Sequence, residues 1–441
     1  MSASPEAELE AEVAELEVKA AELEVKAAAQ KGAGFLPRWP WFRGPSAKDD
    51  HRAELAVLAE GGLAVSVRGA EGDASLAPEG GGGVAAELSD VEVGAAGDYI
   101  HTLAIRNGGN GSSTSSSSST DGKRHSLVMT HGYFTGLGFY FRNYQALSQV
   151  PGWDVYAIDW LGMGRSSRPQ YASKRAASED ERVAYAEDFF VSSLEAWRER
   201  MGIERMTLCG HSFGGYMSAL YALRYPERVE KLVLVSPIGV PEEPAGYAET
   251  LRQGIGPACS RASPPAGSDA TPEYEPPAPK PVGLRVAMFC GLMALWERNY
   301  SPQWLVRNTG PLGRRLINTY VGRFEWLTAA QRTALGAYTL QISLLPGSSE
   351  AALGDVLRPG AFARRPLVAR LDALAVPPVF MYGANDWVDY TGGQQVLRRI
   401  PGGPAAGALH RIPNAGHNLH LENPADFNRV LIREMAAISA R

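Results

Sequence analysis

Met206-Thr207-Leu208-Cys209-Gly210-His211-Ser212-Phe213-Gly214-Gly215 carries an apolar run straight into a serine framed by glycines, and a helical pattern continues from it through Tyr225. Gly210-His211-Ser212-Phe213-Gly214 fits G-x-S-x-G, the sharp strand-to-helix turn that holds a serine in a strained, exposed position. The glycines are needed because a β-carbon there would collide with neighbouring backbone. Five matching residues alone are weakly specific. A strand before them and a helix after them are the context that the motif requires.

The chain around this turn alternates strands and helices. Leu127 to Met129 is an apolar strand ending at His131-Gly132, and Val155 to Asp159 is a second, ending in Trp160-Leu161-Gly162-Met163-Gly164. A helix over about 184–201 precedes the serine strand, Leu232 to Ser236 follows it, and Val379 to Tyr382 and Ala408 to Ile412 come later. Val91 to Arg106 has the alternation of a hairpin pair. This order predicts an α/β fold, a mostly parallel central sheet flanked by helices, with ligand loops at the C-terminal ends of the strands.

A serine hydroxyl needs a base to attack at neutral pH, and that base needs a carboxylate to orient it. In this type of fold the chain order is serine, acid, histidine. Asp386 follows the strand that ends at Tyr382, and His417 follows the strand that ends at Ile412, so both fall at the sheet edge where Ser212 stands. Asp389 and His420 are the competing residues. Negative charge developing on an acyl oxygen requires waiting N–H donors, for which Phe213 N, after the nucleophile, and Tyr133 N, in the loop after the first strand, are the candidates. His131, His211, Cys209 and Asp159 read as structural residues.

Composition narrows the class. The 441 residues are 45% hydrophobic and 21% charged, as in soluble globular enzymes. The longest apolar run, Val286 to Trp296, is too short to span a bilayer. Cys209, Cys259 and Cys290 form neither a disulfide framework nor a metal-ligand pattern, so no metal site and a reducing compartment are expected. The formal net charge of -5 is matched by residues 1–31, with eight Glu against three Lys, so the remainder sums to zero, which argues against a nucleic-acid partner.

Residues 1–34 form an acidic leader with AELEVKA at 14–20 and again at 21–27; Leu9, Leu16 and Leu23 recur every seven residues. It reads either as a short coiled-coil helix or as a solvated helix or disordered tail. Residues 35–60 open with Phe35-Leu36-Pro37-Arg38-Trp39-Pro40-Trp41-Phe42-Arg43. Rings beside guanidinium groups suit a membrane interface, making Trp39, Trp41 and Phe42 anchor candidates, and suit equally a strap packed on the protein. Residues 61–122 hold the hairpin and Gly/Ser-rich linkers; 123–240 and 346–441 are the two parts of the core. Between them, 241–345 is an insertion, Pro-rich and then helical, which reads as a lid. From Arg285 to Arg323 it carries six arginines against Glu297 alone. Arg298, Arg307, Arg314 and Arg315 are therefore headgroup-binding candidates for an anionic phospholipid, the competing reading being a solvated basic face.

HGYFTG at 131–136, DWLGMGRSSRP at 159–169, GHSFGG at 210–215, GPLGRRL at 310–316, PGSSEAAL at 346–353, YGANDWVDYTGG at 382–393 and AGHNLHLENPADFN at 415–428 together resemble one branch of the α/β-hydrolases. That branch holds α/β-hydrolase domain-containing proteins 4 and 5, their plant counterparts and the yeast cardiolipin-specific deacylase. The resemblance covers roughly 125–435, lid included, and the segment 35–43 resembles the tryptophan-rich anchor of such proteins. It implies an α/β-hydrolase fold with an eight-stranded type of core and a helical lid. The implied activity is acyl-ester hydrolysis of phospholipids, lysophospholipids or N-acylphospholipids in lipid homeostasis. Alternatives are acylation of lysophosphatidic acid with acyl-CoA as co-substrate, or non-catalytic co-activation of a lipase. The acyltransferase motif of the family has an aspartate five positions after its histidine; here His417 is followed by Glu422. The co-activator member lacks the serine that this chain retains as Ser212. The expected partner is a lipid substrate at a membrane or lipid-droplet surface, with no redox or metal cofactor. The expected location is cytoplasmic and peripheral, with a mitochondrial membrane as a second address by resemblance, although no transit peptide is visible.

Overall fold

The computed structural model describes residues 50–68, 84–94, 96–106, 124–172, 178–247 and 300–439. The expectations for the leader 1–34, for Trp39, Trp41 and Phe42, for Arg298, for 108–122, for 69–83 and for most of the Pro-rich stretch lie outside these residues.

In chain order the strands are β1 Leu63–Val67, β2 Val84–Glu92, β3 Tyr99–Arg106, β4 His125–Thr130, β5 Trp153–Ile158, β6 Met206–His211, β7 Val229–Val235, β8 Pro378–Gly383 and β9 Ala408–Ile412. The helices are α1 Arg52–Ala59, α2 Tyr144–Ser148, α3 Glu179–Arg200, α4 Phe213–Arg224, α5 Pro302–Asn308, α6 Pro311–Gly322, α7 Ala329–Leu344, α8 Ala352–Val356, α9 Thr391–Arg399, α10 Leu419–Glu422 and α11 Pro424–Ser439.

The strands form one sheet in the order β1-β2-β3-β5-β4-β6-β7-β8-β9. Every pairing from β5 through β9 is parallel, and β3 runs antiparallel to both of its neighbours. The expected hairpin is β2 with β3, longer on its first strand than Val91 alone suggested. Among the described residues the sheet has nine strands, against the eight-stranded type expected. The extra edge is β1, a five-residue LAVSV run beside β2, too short for its alternation to stand out from the glycines around it.

Strands β5, β6 and β8 are buried along their whole length, as parallel strands covered on both faces must be. Leu208, Leu232, Leu234 and Phe380 pack with α3 and α4, while Met129, Cys209, Val233 and Met381 pack with α1, α2 and α11. Helix α3 starts five residues earlier than its apolar pattern suggests. Ser178 accepts from Glu181 N and Glu181 accepts from Ser178 N, a reciprocal cap that starts the helix ahead of its first core residue, Val183.

Between β6 and α4 the chain reverses at Ser212, with φ 54° and ψ -116°. Gly214 lets the first turn of α4 approach β4: a β-carbon there would lie 2.5 Å from His131 O. The loops after β4, β5, β6, β8 and β9 consequently gather at one edge of the sheet.

A buried charge network, not singled out by the sequence, fastens α1 to this frame. Glu54 of α1 is fully buried and its Oε2 meets His101 Nε2 at 3.1 Å, His51 Nδ1 at 3.2 Å and Arg165 Nε at 3.3 Å. His101 Nδ1 pairs with Asp90 at 2.7 Å. Among the described residues, His51, Glu54 and His101 are also the group whose donor atoms lie within metal-binding reach, 4.8 Å of one another. The Arg165 guanidinium already places positive charge on the same oxygen.

Burial alone would push the pKa of His101 down, but Glu54 and Asp90 outweigh it and raise the value to about 10, above its ordinary 6.5. The stability contributed by protonated His101 is therefore complete below pH 6.5 and lost as pH rises towards 10. Urea unfolding at a series of pH values should show this loss. His101→Gln should flatten the slope and cost about 3 kcal/mol at pH 6, because Glu54 loses a buried partner; an unchanged slope would show that His101 is not the titrating group.

Candidate active site

Ser212 stands where β6 ends, its N–H bonded to Val235 O of the neighbouring strand at 2.8 Å. His417 reaches it from the loop after β9, with Nε2 3.0 Å from Ser212 Oγ. The other ring nitrogen, Nδ1, lies 3.1 Å from Asp386 Oδ1, at the end of β8. The two loops are stitched together by Ala384 N to Ile412 O at 2.8 Å and Asn385 N to Ala415 O at 2.9 Å. The competing residues have other work. Asp389 is exposed and accepts from Thr391 N and Oγ1 at the start of α9. His420 is buried against Tyr140 and His211, and neither of its ring nitrogens bonds Ser212.

Asp386 also accepts from Ser236 Oγ and, at 3.0 Å, from Val388 N. Burial pushes its pKa up, but the bond and charge of His417 and these two donors outweigh burial and hold it below the usual carboxylate value. Asp386 is thus an ionised acceptor at neutral pH. Ser236, with φ 43°, directly follows β7, the strand beside the serine strand. The sequence reading passed over it, although its place at a strand C-terminus in the same sheet was a usable signal.

His211 was expected to pack. It does, and its Nε2 also donates to His417 O at 2.9 Å. Burial, with the neighbouring His417, drives its pKa down to about 3, so it is a neutral donor.

The loop after β4 passes directly over the serine: a β-carbon on Gly132 would lie 3.1 Å from Ser212 Cβ. Among the described residues neither Tyr133 N nor Phe213 N has a hydrogen-bond acceptor, and the rings of Tyr133 and Phe213 lie edge to face at 6.4 Å. Two flanking residues hold the loop. His131 Nδ1 donates to Gly132 O at 2.7 Å while its Nε2 accepts from Trp160 N, and Asp159 accepts from Leu137 N and Arg165 N, both at 2.7 Å. Both residues serve loop geometry, as their sequence context suggested.

The proposed headgroup arginines are not gathered in one place. Arg307 of α5 points inward to Glu350 and to the carbonyls of Ser343 and Leu345. Arg314 and Arg315 are exposed on α6, together with Leu312 and Leu316. The inner side of α6 meets the loop after β4 through Tyr320 on Phe134, at 5.4 Å. Trp387, which sequence reasoning missed although it adjoins Asp386, is 54% exposed with its ring 4.7 Å from that of His417. Glu422 faces backbone: it accepts from Gly416 N and Asn418 N.

A family model described as alpha/beta hydrolase fold matches residues 126–256. The chain is 34% identical over 311 residues to a probable 1-acylglycerol-3-phosphate O-acyltransferase of Oryza sativa subsp. japonica, covering 68% of this chain and 65% of that one. It spans the same 65% of an Arabidopsis thaliana relative, less than two thirds of either plant protein. A (lyso)-N-acylphosphatidylethanolamine lipase of Mus musculus is 30% identical over 312 residues, 70% of this chain and 78% of its own. Among solved structures, a bromoperoxidase from Bacillus anthracis superposes with a TM-score of 0.51 at 17% identity, over 79% of this chain and 99% of that one, a likeness of fold. With the sheet order and the strand-end motifs, these relatives place the chain in the α/β-hydrolase family, in the branch of α/β-hydrolase domain-containing proteins 4 and 5.

Proposed function

We propose that this protein is a serine hydrolase that cleaves a carboxylic ester of an anionic phospholipid, lysophospholipid or N-acylphospholipid. The observation that carries the reading is the continuous line Ser212–His417–Asp386 beside two N–H groups that have no acceptor among the described residues. Ser212 Oγ attacks the acyl carbonyl while His417 Nε2 takes its proton. The carbonyl oxygen becomes an oxyanion held by Tyr133 N and Phe213 N. As the C–O bond to the leaving alcohol breaks, His417 returns the proton to it. Water, deprotonated by His417, then attacks the acyl carbon, and as the bond to Ser212 Oγ breaks His417 returns the proton to Oγ, releasing the fatty acid. Ionised Asp386 keeps the Nδ1 proton in place throughout. Side chains and water suffice, with no metal or redox cofactor in this scheme.

The proposed site of action is a membrane or lipid-droplet surface, reached from the cytoplasm. Large apolar side chains that are exposed among the described residues are Leu312, Leu316, Trp326 and Trp387. The first two share α6 with Arg314 and Arg315, and Trp387 lies against the ring of His417. This combination supports docking on an anionic interface. Trp39, Trp41 and Phe42 are proposed as a further anchor, and Arg314 and Arg315 remain the better headgroup candidates than Arg307.

The names of the plant relatives favour one second reading, in which lysophosphatidic acid takes the place of water and acyl-CoA supplies the acyl group, with coenzyme A leaving as the thiol. Purified protein given both substrates should form no phosphatidic acid beyond a no-enzyme control if hydrolysis is the activity; formation of it would establish the transferase.

A fluorophosphonate probe should label wild type and not Ser212→Ala. Asp386→Asn should lower kcat about 10³- to 10⁴-fold by favouring the wrong imidazole tautomer. Folded wild type that takes up no probe would remove the catalytic reading, and full restoration of a lipid phenotype by Ser212→Ala would favour the co-activator role. Changing Leu312, Leu316 and Trp326 together to Ala should weaken binding to anionic vesicles about tenfold or more, an estimate from the apolar area withdrawn. Vesicle binding that does not change would exclude the α6 face as a docking surface.

A further inference from the structure

We infer that Glu422 is a positioning residue for His417, gripping the backbone on both sides of it, and not an acid that reacts in acyl transfer. The inference rests on Ser212, His417 and Asp386 being the catalytic set.

His417 is carried by a loop, residues 413–418, between the end of β9 and the four-residue helix α10. Its ring must meet Ser212 and Asp386 within about 0.5 Å of the productive geometry, a tolerance that a free loop does not hold. Glu422, the last residue of α10, folds back over that loop. Its Oε2 accepts from Gly416 N at 2.5 Å and its Oε1 from Asn418 N at 3.0 Å. One carboxylate thus holds the amide before His417 and the amide after it. The carbonyl of His417 is held in turn by His211 Nε2 at 2.9 Å. With three backbone groups of 416–418 tied, the histidine keeps only its side-chain torsions, and Asp386 sets those.

The same contacts leave Glu422 no part in the chemistry. Both ring nitrogens of His417 are engaged, one by Ser212 and one by Asp386. Both oxygens of Glu422 are engaged by backbone N–H groups. Gly416 gives the carboxylate its room, since a β-carbon there would lie 3.2 Å from Oε2 and 3.4 Å from Oε1. The spacing of five residues between histidine and acid has a mechanical meaning here: it spans the loop end and one short helical turn, which returns the acid to the loop that it closes. Two acceptor oxygens at the end of two methylenes are needed. Glutamine offers one oxygen and turns an NH2 towards the other amide. Aspartate is a methylene shorter and cannot meet both N–H groups.

The experiment combines fluorophosphonate labelling kinetics, ester hydrolysis and amide hydrogen exchange on the full chain. In wild type the amides of Gly416 and Asn418 should exchange slowly, and in Glu422→Gln at least one should exchange much faster. Glu422→Gln should label Ser212 about 10- to 100-fold more slowly and lose kcat by a similar factor at nearly constant KM, a range typical of residues that orient another. Glu422→Asp should be impaired too, and thermal melting should show both variants folded. The low-field proton resonance of the His417–Asp386 bond should shift or broaden in Glu422→Gln. Labelling of Glu422→Gln at the wild-type rate, with loss confined to acyl-CoA-dependent transfer, would overturn the inference in favour of a reacting acid. Rapid exchange of both amides in folded wild type would overturn it without any variant. Failure of the hydrolase reading itself would look different: the wild type would take up no probe.

Discussion

The backbone at Ser212 is the constraint on which the site is built. A non-glycine residue at φ 54° stores strain, of order 1 to 3 kcal/mol, that only its surroundings can maintain. Those surroundings are β6, buried along its length, and α4, buried through most of its turns, with Gly214 admitting the helix against β4. Because the turn projects Oγ beyond the sheet edge, the loops after β4, β8 and β9 need only reach that edge to complete the site. Tyr133, Asp386 and His417 arrive there from three places far apart in the chain.

Electrostatics then divides the site into ionised and neutral groups. His131 and His211 are buried deeply enough that their charged forms are disfavoured, and each acts as a fixed donor to a main-chain oxygen. Asp386 remains ionised because its donors outweigh its burial. Neutral histidines around an ionised carboxylate leave the proton exchanged between Ser212 and His417 as the one that moves in the proposed reaction.

Helix α5 and the loop after β4 share a partner in Glu350. Glu350 accepts from Arg307 of α5 and from Ser348 N, while its carbonyl accepts from Tyr133 Oη at 3.1 Å. Helix α5 is therefore tied to the loop that carries Tyr133, and the outer face of α6 exposes leucine and arginine. Arg307, indistinguishable from its neighbours in a count of charges, belongs to the first function, and Arg314 and Arg315 to the surface.

Much of this was legible in the chain. Apolar runs that end in glycine-rich loops marked the central strands, because parallel strands buried on both faces require such runs, and G-x-S-x-G in that setting marked the turn. Serine, acid and histidine after the strands β6, β8 and β9 marked the proposed reacting groups, although Asp389 and His420 stood as rivals. The sequence by itself determined which candidate groups stand at the strand ends, since residue type and position relative to the strands are local properties. Only the tertiary structure decided which of two acids meets the imidazole, that Ser236 supports it, that Arg307 turns inward and that Glu422 grips the loop. These depend on distances between segments remote in the chain, and a hydrogen bond exists or not within a few tenths of an ångström, which no local pattern encodes.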